Sequence, residues 1–543
     1  MQLNKIKLHS CTTFASAQSQ ITLDDDYNVP DYRPDIVKVL KEKGELHFDE
    51  VKATAGAAWL KGRLVFRVLY RSDQENGKIS CLKGEIPFQE KLNMDGVQEY
   101  DVIQASGEIE DLTIGVIHSR KISVRAVILL KTEEPQEKED ELCVGIEADD
   151  GCEKRYRNTN ILQLLCMKRD QCRQKSEITL PSSKPNVQEI LWKSLEIRNL
   201  DTKMGQDGVK LSGEVLISVL YQEEEETDRV QWYETVIPLD CGVECDAGTE
   251  ADIIYKVKTR PASMELEVKP DYDGEERVLV LELVMNLDIR VWKEQEISML
   301  EDVYSLKKEI IPVCTGVTLH HISVKNDSQC RLTEQMELAE SQEKILQICS
   351  CEGTVHLEST ELTEQGGRGE GILVTELLYI TTDDQMPIGS AREIYPFEQL
   401  IEIPQQTART ERNKPEELEA LERKNKLQTE LDCRISQLSA VMLDQDHVEI
   451  KAVIGLDLLA FEQEQIDNIT DMREEALDME QLQKRPGLVG YIAKDGDSLW
   501  SIAKENHTTV EDILRDNHRT DENLRRGEKI LIVKKVELNS YES

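Results

Sequence analysis

The sequence has little aromatic content, 5% of its residues, and its 66 basic residues are outnumbered by 106 acidic ones. It has no Cys-x-x-Cys pair and no uninterrupted apolar run of the ~18 residues needed to cross a bilayer. Each shortage closes off a class. Without a long apolar run the sequence predicts no membrane span, and a net charge of -40 repels nucleic acid and anionic lipid. The opening Met-Gln-Leu-Asn-Lys-Ile-Lys-Leu-His-Ser has no apolar core of the kind a secretory signal needs, so a cytosolic chain is expected. Thirteen cysteines, an odd and scattered set, fit a reducing compartment better than a disulfide scaffold.

What the chain does have is repetition. Gly62-Arg-Leu-Val-Phe-Arg-Val-Leu-Tyr70 recurs as Gly213-Glu-Val-Leu-Ile-Ser-Val-Leu-Tyr221 and as Gly371-Ile-Leu-Val-Thr-Glu-Leu-Leu-Tyr379. A proline follows each tyrosine after 17 residues: Pro87, Pro238 and Pro396. Cys172 and Cys330 each stand 41 residues before the glycine of their own copy. A unit of this length, repeated three times, predicts tandem modules over 1–158, 159–318 and 319–470. Leu64, Phe66, Val68 and Tyr70 alternate with Arg63 and Arg67, the period of a strand with one better-buried face. Further hairpin-forming runs lie at Ile122 to Leu130, at Met264 to Val291 around Asp273-Gly274, and at Cys433 to Phe461 around Asp444 to Asp446. Short helices are expected before each glycine strand, at Pro34 to Lys41, Val187 to Ser194 and Glu343 to Cys349. A charged insertion near 404–430 predicts a solvated helix from Pro415 to Thr429, and the acidic stretch 471–487 reads as a linker.

The last segment, 488–536, is different. Its nine acidic and nine basic residues between Gly490 and Val536 leave it neutral, so the negative charge belongs to the repeats. Tyr491 to Ala493 suits a strand, Asp495-Gly496-Asp497 a turn, and Ser498 a helix N-cap before the apolar face Leu499, Ile502 and Ala503. Thr508 and Glu511 have capping-box spacing ahead of Val510, Ile513 and Leu514, and Ile530 to Val533 is a closing strand. The order is β-α-α-β.

No reactive constellation emerges. Gly366 to Gly371 lacks the Gly-Lys-[Ser/Thr] ending of a phosphate loop and runs into a strand. His320 and His321 are adjacent and point to opposite faces of a strand. Cys241 with Cys245, and Cys349 with Cys351, have no histidine at zinc spacing, which leaves them as thiols of the core or surface. Asp24-Asp25-Asp26 lacks the glycine and distal glutamate of a calcium loop. What recurs is glycine, leucine, tyrosine and proline, so no catalytic residue, cofactor or metal is expected.

The closing segment resembles a LysM module. Together with the three repeats and the opening Tyr27-Asn-Val-Pro-Asp-Tyr-Arg-Pro-Asp-Ile36, the chain is similar to the SipL-type spore-coat morphogenetic proteins, with three SPOCS-type repeats. The resemblance implies a mainly β (α+β) fold: three β-rich modules in tandem and a small βααβ LysM domain. It implies a non-enzymatic adaptor in the mother-cell cytoplasm, recruited to the outer forespore membrane. There its LysM module would bind the coat-basement ATPase, stage IV sporulation protein A, and its repeats other coat proteins. The alternative is a wall protein that binds peptidoglycan or another N-acetylglucosamine-containing glycan, or a lipid-linked wall precursor. The loops expected to face the partner carry Gly496, Asp497, Ser498, Leu499, Asn517 and Leu524, while Trp500, Ile502 and Gly527 are assigned to the framework of the module.

Overall fold

The computed structural model describes residues 2–73, 78–147, 151–224, 229–246, 252–339, 342–363, 366–383, 386–402, 427–477 and 486–533. Each repeat supplies six strands. The first has β1 (Gln2–Asn28), β2 (Ile36–Thr54), β3 (Ala57–Ser72), β4 (Ile79–Asn93), β5 (Gln104–His118) and β6 (Lys121–Glu147). The second has β7 (Cys152–Thr179), β8 (Val187–Gly205), β9 (Gly208–Glu223), β10 (Val230–Val243), β11 (Ile253–Pro270) and β12 (Glu276–Ser305). The third has β13 (Glu309–Glu337), β14 (Ile345–Thr363), β15 (Gly366–Thr381), β16 (Ile388–Glu402), β17 (Leu427–Met442) and β18 (His447–Glu475). In every copy strands two, three and four form one antiparallel sheet, and strands one, six and five form the other. The sheets face each other across a core such as Leu64, Phe66, Val68 and Tyr70 against Val124, Ala126 and Ile128. Each repeat is therefore a small sandwich.

The repeated residues each perform one physical task. A Cβ on Gly62 would collide with the His47 carbonyl, and one on Gly371 with that of His356; on Gly213 it would lie 3.0 Å from Arg198 O. In each case the partner strand bulges opposite the glycine, and the displaced backbone occupies the space of a side chain. The tyrosine turns into its own sandwich: Tyr70 donates to Pro34 O at 3.1 Å and Tyr221 to Pro185 O at 3.2 Å. Tyr70 and Tyr221 thereby pin the start of the first sheet of their own repeats. The preceding leucine takes the opposite face, where Leu69, Leu220 and Leu378 meet in one cluster shared by all three repeats. Pro87, Pro238 and Pro396 lie on the edge strands β4, β10 and β16, where a missing N–H costs no ladder bond.

The three expected helices are strands instead. Register shifts fall at Ile36/Lys38 and Val39/Lys41, at Val187/Glu189 and Ile190/Trp192, and at Ile345/Gln347 and Ile348/Ser350. Two bulges in quick succession break the two-residue alternation of a strand and leave a spacing that imitates a helix. Among the described residues, helices occur only in the C-terminal module. The expected helix of the charged insertion lies mostly outside the described residues; from Leu427 the chain is already β17. The acidic stretch read as a linker starts later than expected, because Asp471 to Glu475 still pair with β13.

The six long strands outrun their sandwiches. Beyond Glu133, β6 pairs with β1 alone; beyond Lys293, β12 pairs with β7 alone; beyond Glu462, β18 pairs with β13 alone. The resulting ribbons pack together through Leu8 and Leu142, Ile161, Ile297 and Met299, and Val317 and Leu319. A buried amide crosses between the first and third: Asn468 accepts from Cys143 N at 2.9 Å and donates to Glu141 O at 2.7 Å. The chain thus encloses three like units around one axis.

At the junction of the sandwiches sits one carboxylate. Glu352 of the third repeat faces Lys41 at 3.1 Å and Lys43 at 2.5 Å from the first, and accepts from Trp192 Nε1 of the second at 3.1 Å. Burial by itself would raise its pKa, but Lys41 and Lys43, with the Lys43 and Trp192 hydrogen bonds, overcome that and hold it down to about 2. A folded value below the ordinary 4.5 contributes stability above pH 4.5, and that stability is lost as pH falls toward 2. In urea titrations, Glu352→Gln should abolish that part of the acid sensitivity. Glu352→Ala, which strips Lys43 of its carboxylate and leaves Lys41 only Glu376, should cost about 3–5 kcal/mol at neutral pH.

Candidate functional site

The C-terminal module runs β19 (Leu488–Ile492), α1 (Leu499–Glu505), α2 (Val510–Asp516) and β20 (Lys529–Val533), with the two strands antiparallel. Ser498 caps α1 through a reciprocal pair with Ser501, and Thr509 accepts from Asp512 N to cap α2. The capping residue of α2 is thus Thr509 rather than Thr508. Leu499, Ile502, Ala503, Ile513, Ile530 and Ile532 form the core.

Most of the residues expected to face a ligand are committed inside the module. Asp497 accepts from Tyr491 OH and from Lys494 N, both at 2.8 Å, and these bonds, the backbone one foremost, hold its carboxyl below the ordinary aspartate range. Leu499, expected on the partner-facing loop, is 1% exposed and belongs to the core: it is the first residue of α1, and its helical face points inward. Asn517 bonds Ile513 O at 2.8 Å, Leu531 O at 2.7 Å and Leu531 N at 2.8 Å, clipping the end of α2 to β20. Leu524 is half-buried against the same core. Gly496 and Gly527 hold positive φ in exposed turns, and Gly527 N donates to Ala493 O at 2.7 Å. Of the residues expected to face a partner on the first loop, Gly496 is exposed and the Ser498 cap half-buried.

Trp500, assigned to the framework of the module, packs against its core and also has a role outside it. It is half-buried and reaches out of the module to the end of the second ribbon, where its Nε1 donates to Asp302 Oδ2 at 2.8 Å. Tyr304 meets its ring edge-on with centroids 4.9 Å apart, and the Arg155 guanidinium lies 5.7 Å from the ring centroid. Lys504 pairs with Asp302 at 2.7 Å, and the buried Tyr304 hydroxyl donates to Thr508 O at 2.8 Å. Sequence reading missed this dock because its two halves lie about two hundred residues apart and Asp302 stands in an ordinary strand.

The docked face is opposed by an open one. Along the outer side of β19 and β20, Leu488, Ile492 and Leu531 are 61%, 59% and 38% exposed, around a glycine at position 490. No group of histidine, cysteine, aspartate and glutamate among the described residues is arranged to hold a metal. No helix among them is long and apolar enough to cross a membrane.

The SipL, SPOCS domain family matches residues 35–117, 186–269 and 344–422, and the LysM domain family matches residues 491–533. The three matched segments begin at the same structural point, just before β2, β8 and β14. No curated protein matches the chain. No solved structure matches it.

Asp302→Ala should weaken docking of the module by about 1.5–3 kcal/mol, the range of hydrogen bonds to a charged group. In NMR relaxation the amides of the module should then sharpen as it tumbles apart from the repeats, with its own chemical-shift pattern retained.

Proposed function

Because the chain belongs to the SipL family of SPOCS-domain proteins, whose setting is sporulation and coat assembly, we propose that it is a non-enzymatic adaptor of the spore coat. In this reading its LysM module captures the coat-basement ATPase, stage IV sporulation protein A, and the three repeats present a rigid body to other coat proteins. It acts from the mother-cell cytoplasm at the outer forespore membrane. SPOCS and LysM domains are binding or structural modules, and the residues shared by the repeats serve packing and chain reversal rather than proton or group transfer.

One observation favours a protein partner: the exposed apolar strip Leu488, Ile492 and Leu531. Apolar side chains on a small sheet suit a protein surface, where a few buried anchors dominate affinity. The loop groups that would orient a sugar by hydrogen bonding, Asp497 and Asn517, are occupied by their own backbone. The LysM match itself supports the second reading, in which an N-acetylglucosamine-containing glycan or lipid-linked precursor is bound.

Ile492→Glu or Leu531→Glu should lower the affinity for the purified basement ATPase by roughly tenfold or more, the weight of about 1.4 kcal/mol, with circular dichroism unchanged. Binding that survives both substitutions but is displaced by chito-oligosaccharide would favour the glycan reading.

A further inference from the structure

The second repeat is fastened in a way the other two are not. Its Cys172, on β7, is bonded to Cys241, on β10, so a disulfide ties one sheet of the sandwich to the other. This corrects the expectation that Cys241 is a free thiol. Close by on the same two segments, the Cys245 thiol just past β10 points at Cys166 Sγ of β7 at 3.3 Å. Neither sulfur is in a disulfide, and Cys245 is buried while Cys166 is half-buried. Counting from the shared tyrosines, the positions equivalent to Cys241 are Glu90 and Gln399, and that of Cys245 in the first repeat is Met94. Cys330, the counterpart of Cys172 by its spacing to the glycine, therefore has no cysteine at the matching site.

We propose that Cys166 and Cys245 are a dithiol modification site that closes to a second disulfide, giving the second repeat a double clasp. The oxidant is a small-molecule disulfide of the glutathione class. The Cys166 thiolate attacks one sulfur of that disulfide, whose S–S bond breaks to release one thiolate and leave a mixed disulfide on Cys166. Cys245 gives its proton to solvent and attacks the Cys166 sulfur, expelling the second thiolate. Two protein thiols are oxidised and one small disulfide is reduced to two thiols. The order follows from exposure: Cys166 is half-buried and Cys245 buried, and burial first, then the adjoining Cys166 sulfur, pushes the Cys245 thiol up to about 12, which leaves the first attack to Cys166. The clasp has a structural consequence. β7 continues into the second ribbon, where Arg155 and Glu153 pair with Asp302 and Tyr304, the residues that hold the LysM module. Fixing β7 to β10 stiffens the repeat that carries the dock.

The full chain, purified under reductant and then exchanged into glutathione disulfide, is alkylated and mapped as peptides without reduction. The expected result is a Cys166–Cys245 cross-link beside Cys172–Cys241, loss of alkylation at both Cys166 and Cys245, and a melting temperature above that of the reduced chain. Cys166→Ser should leave Cys245 open to alkylation and shrink that difference, while matching the natural chain under reductant. Cys166 and Cys245 that stay alkylatable, or that end on glutathione or on other cysteines, would overturn the proposal. So would a Cys166→Ser variant that melts lower by the same amount in both buffers, since the sulfur would then only fill space.

Discussion

A two-stranded β-ribbon is not stable alone in water, and in this protein three such ribbons extend past the sheets that start them. Their apolar sides can be covered only by one another. That single need brings the three repeats of one chain around a common axis, and it explains why the sandwiches touch at their leucines as well. The face of β3 opposite Tyr70 would otherwise leave Leu69 in water, as the matching faces of β9 and β15 would leave Leu220 and Leu378. Hydrophobic contact of this kind sets no particular angle. Glu352 of the third repeat, reached by groups from the other two, and Asn468, which reads the backbone of the first ribbon, accept only one arrangement.

The same closure positions the LysM module. Once the second ribbon is held by its neighbours, Asp302 and Tyr304 stand at its end as a fixed dock for Trp500, Lys504 and the backbone of Thr508. One side of the module is then occupied, and its two-stranded sheet is left facing out. These contacts fix the module against the body of the protein, an arrangement that fits the proposed adaptor role.

Much of this was legible in the sequence, for a physical reason. Gly62 and Gly371 mark places where a neighbouring backbone leaves no room for a side chain, and Gly213 one where the room is tight. The tyrosine and proline positions are similarly constrained by a buried hydroxyl and an edge strand. The small module was legible through its caps and turns, Ser498 and Gly527 among them, because those are local. What escaped was of two kinds. Paired bulges after Ile36, Val187 and Ile345 hid strands behind a helical spacing. Contacts between distant parts of the chain, such as Asp302 with Trp500 or Cys172 with Cys241, leave no mark on either neighbourhood. Leu499 and Asn517 show the limit of carrying a site over by position: Leu499 opens α1 and Asn517 caps the end of α2, and the module uses both for itself.

The most direct measurement is hydrogen–deuterium exchange of the full chain with and without the purified coat-basement ATPase. Added protection confined to β19 and β20, with the slow exchange around Asp302, Tyr304 and α1 unchanged, is the predicted result. Added protection at 494–499 and 517–524 alone, or faster exchange at 302–304 on binding, would contradict it.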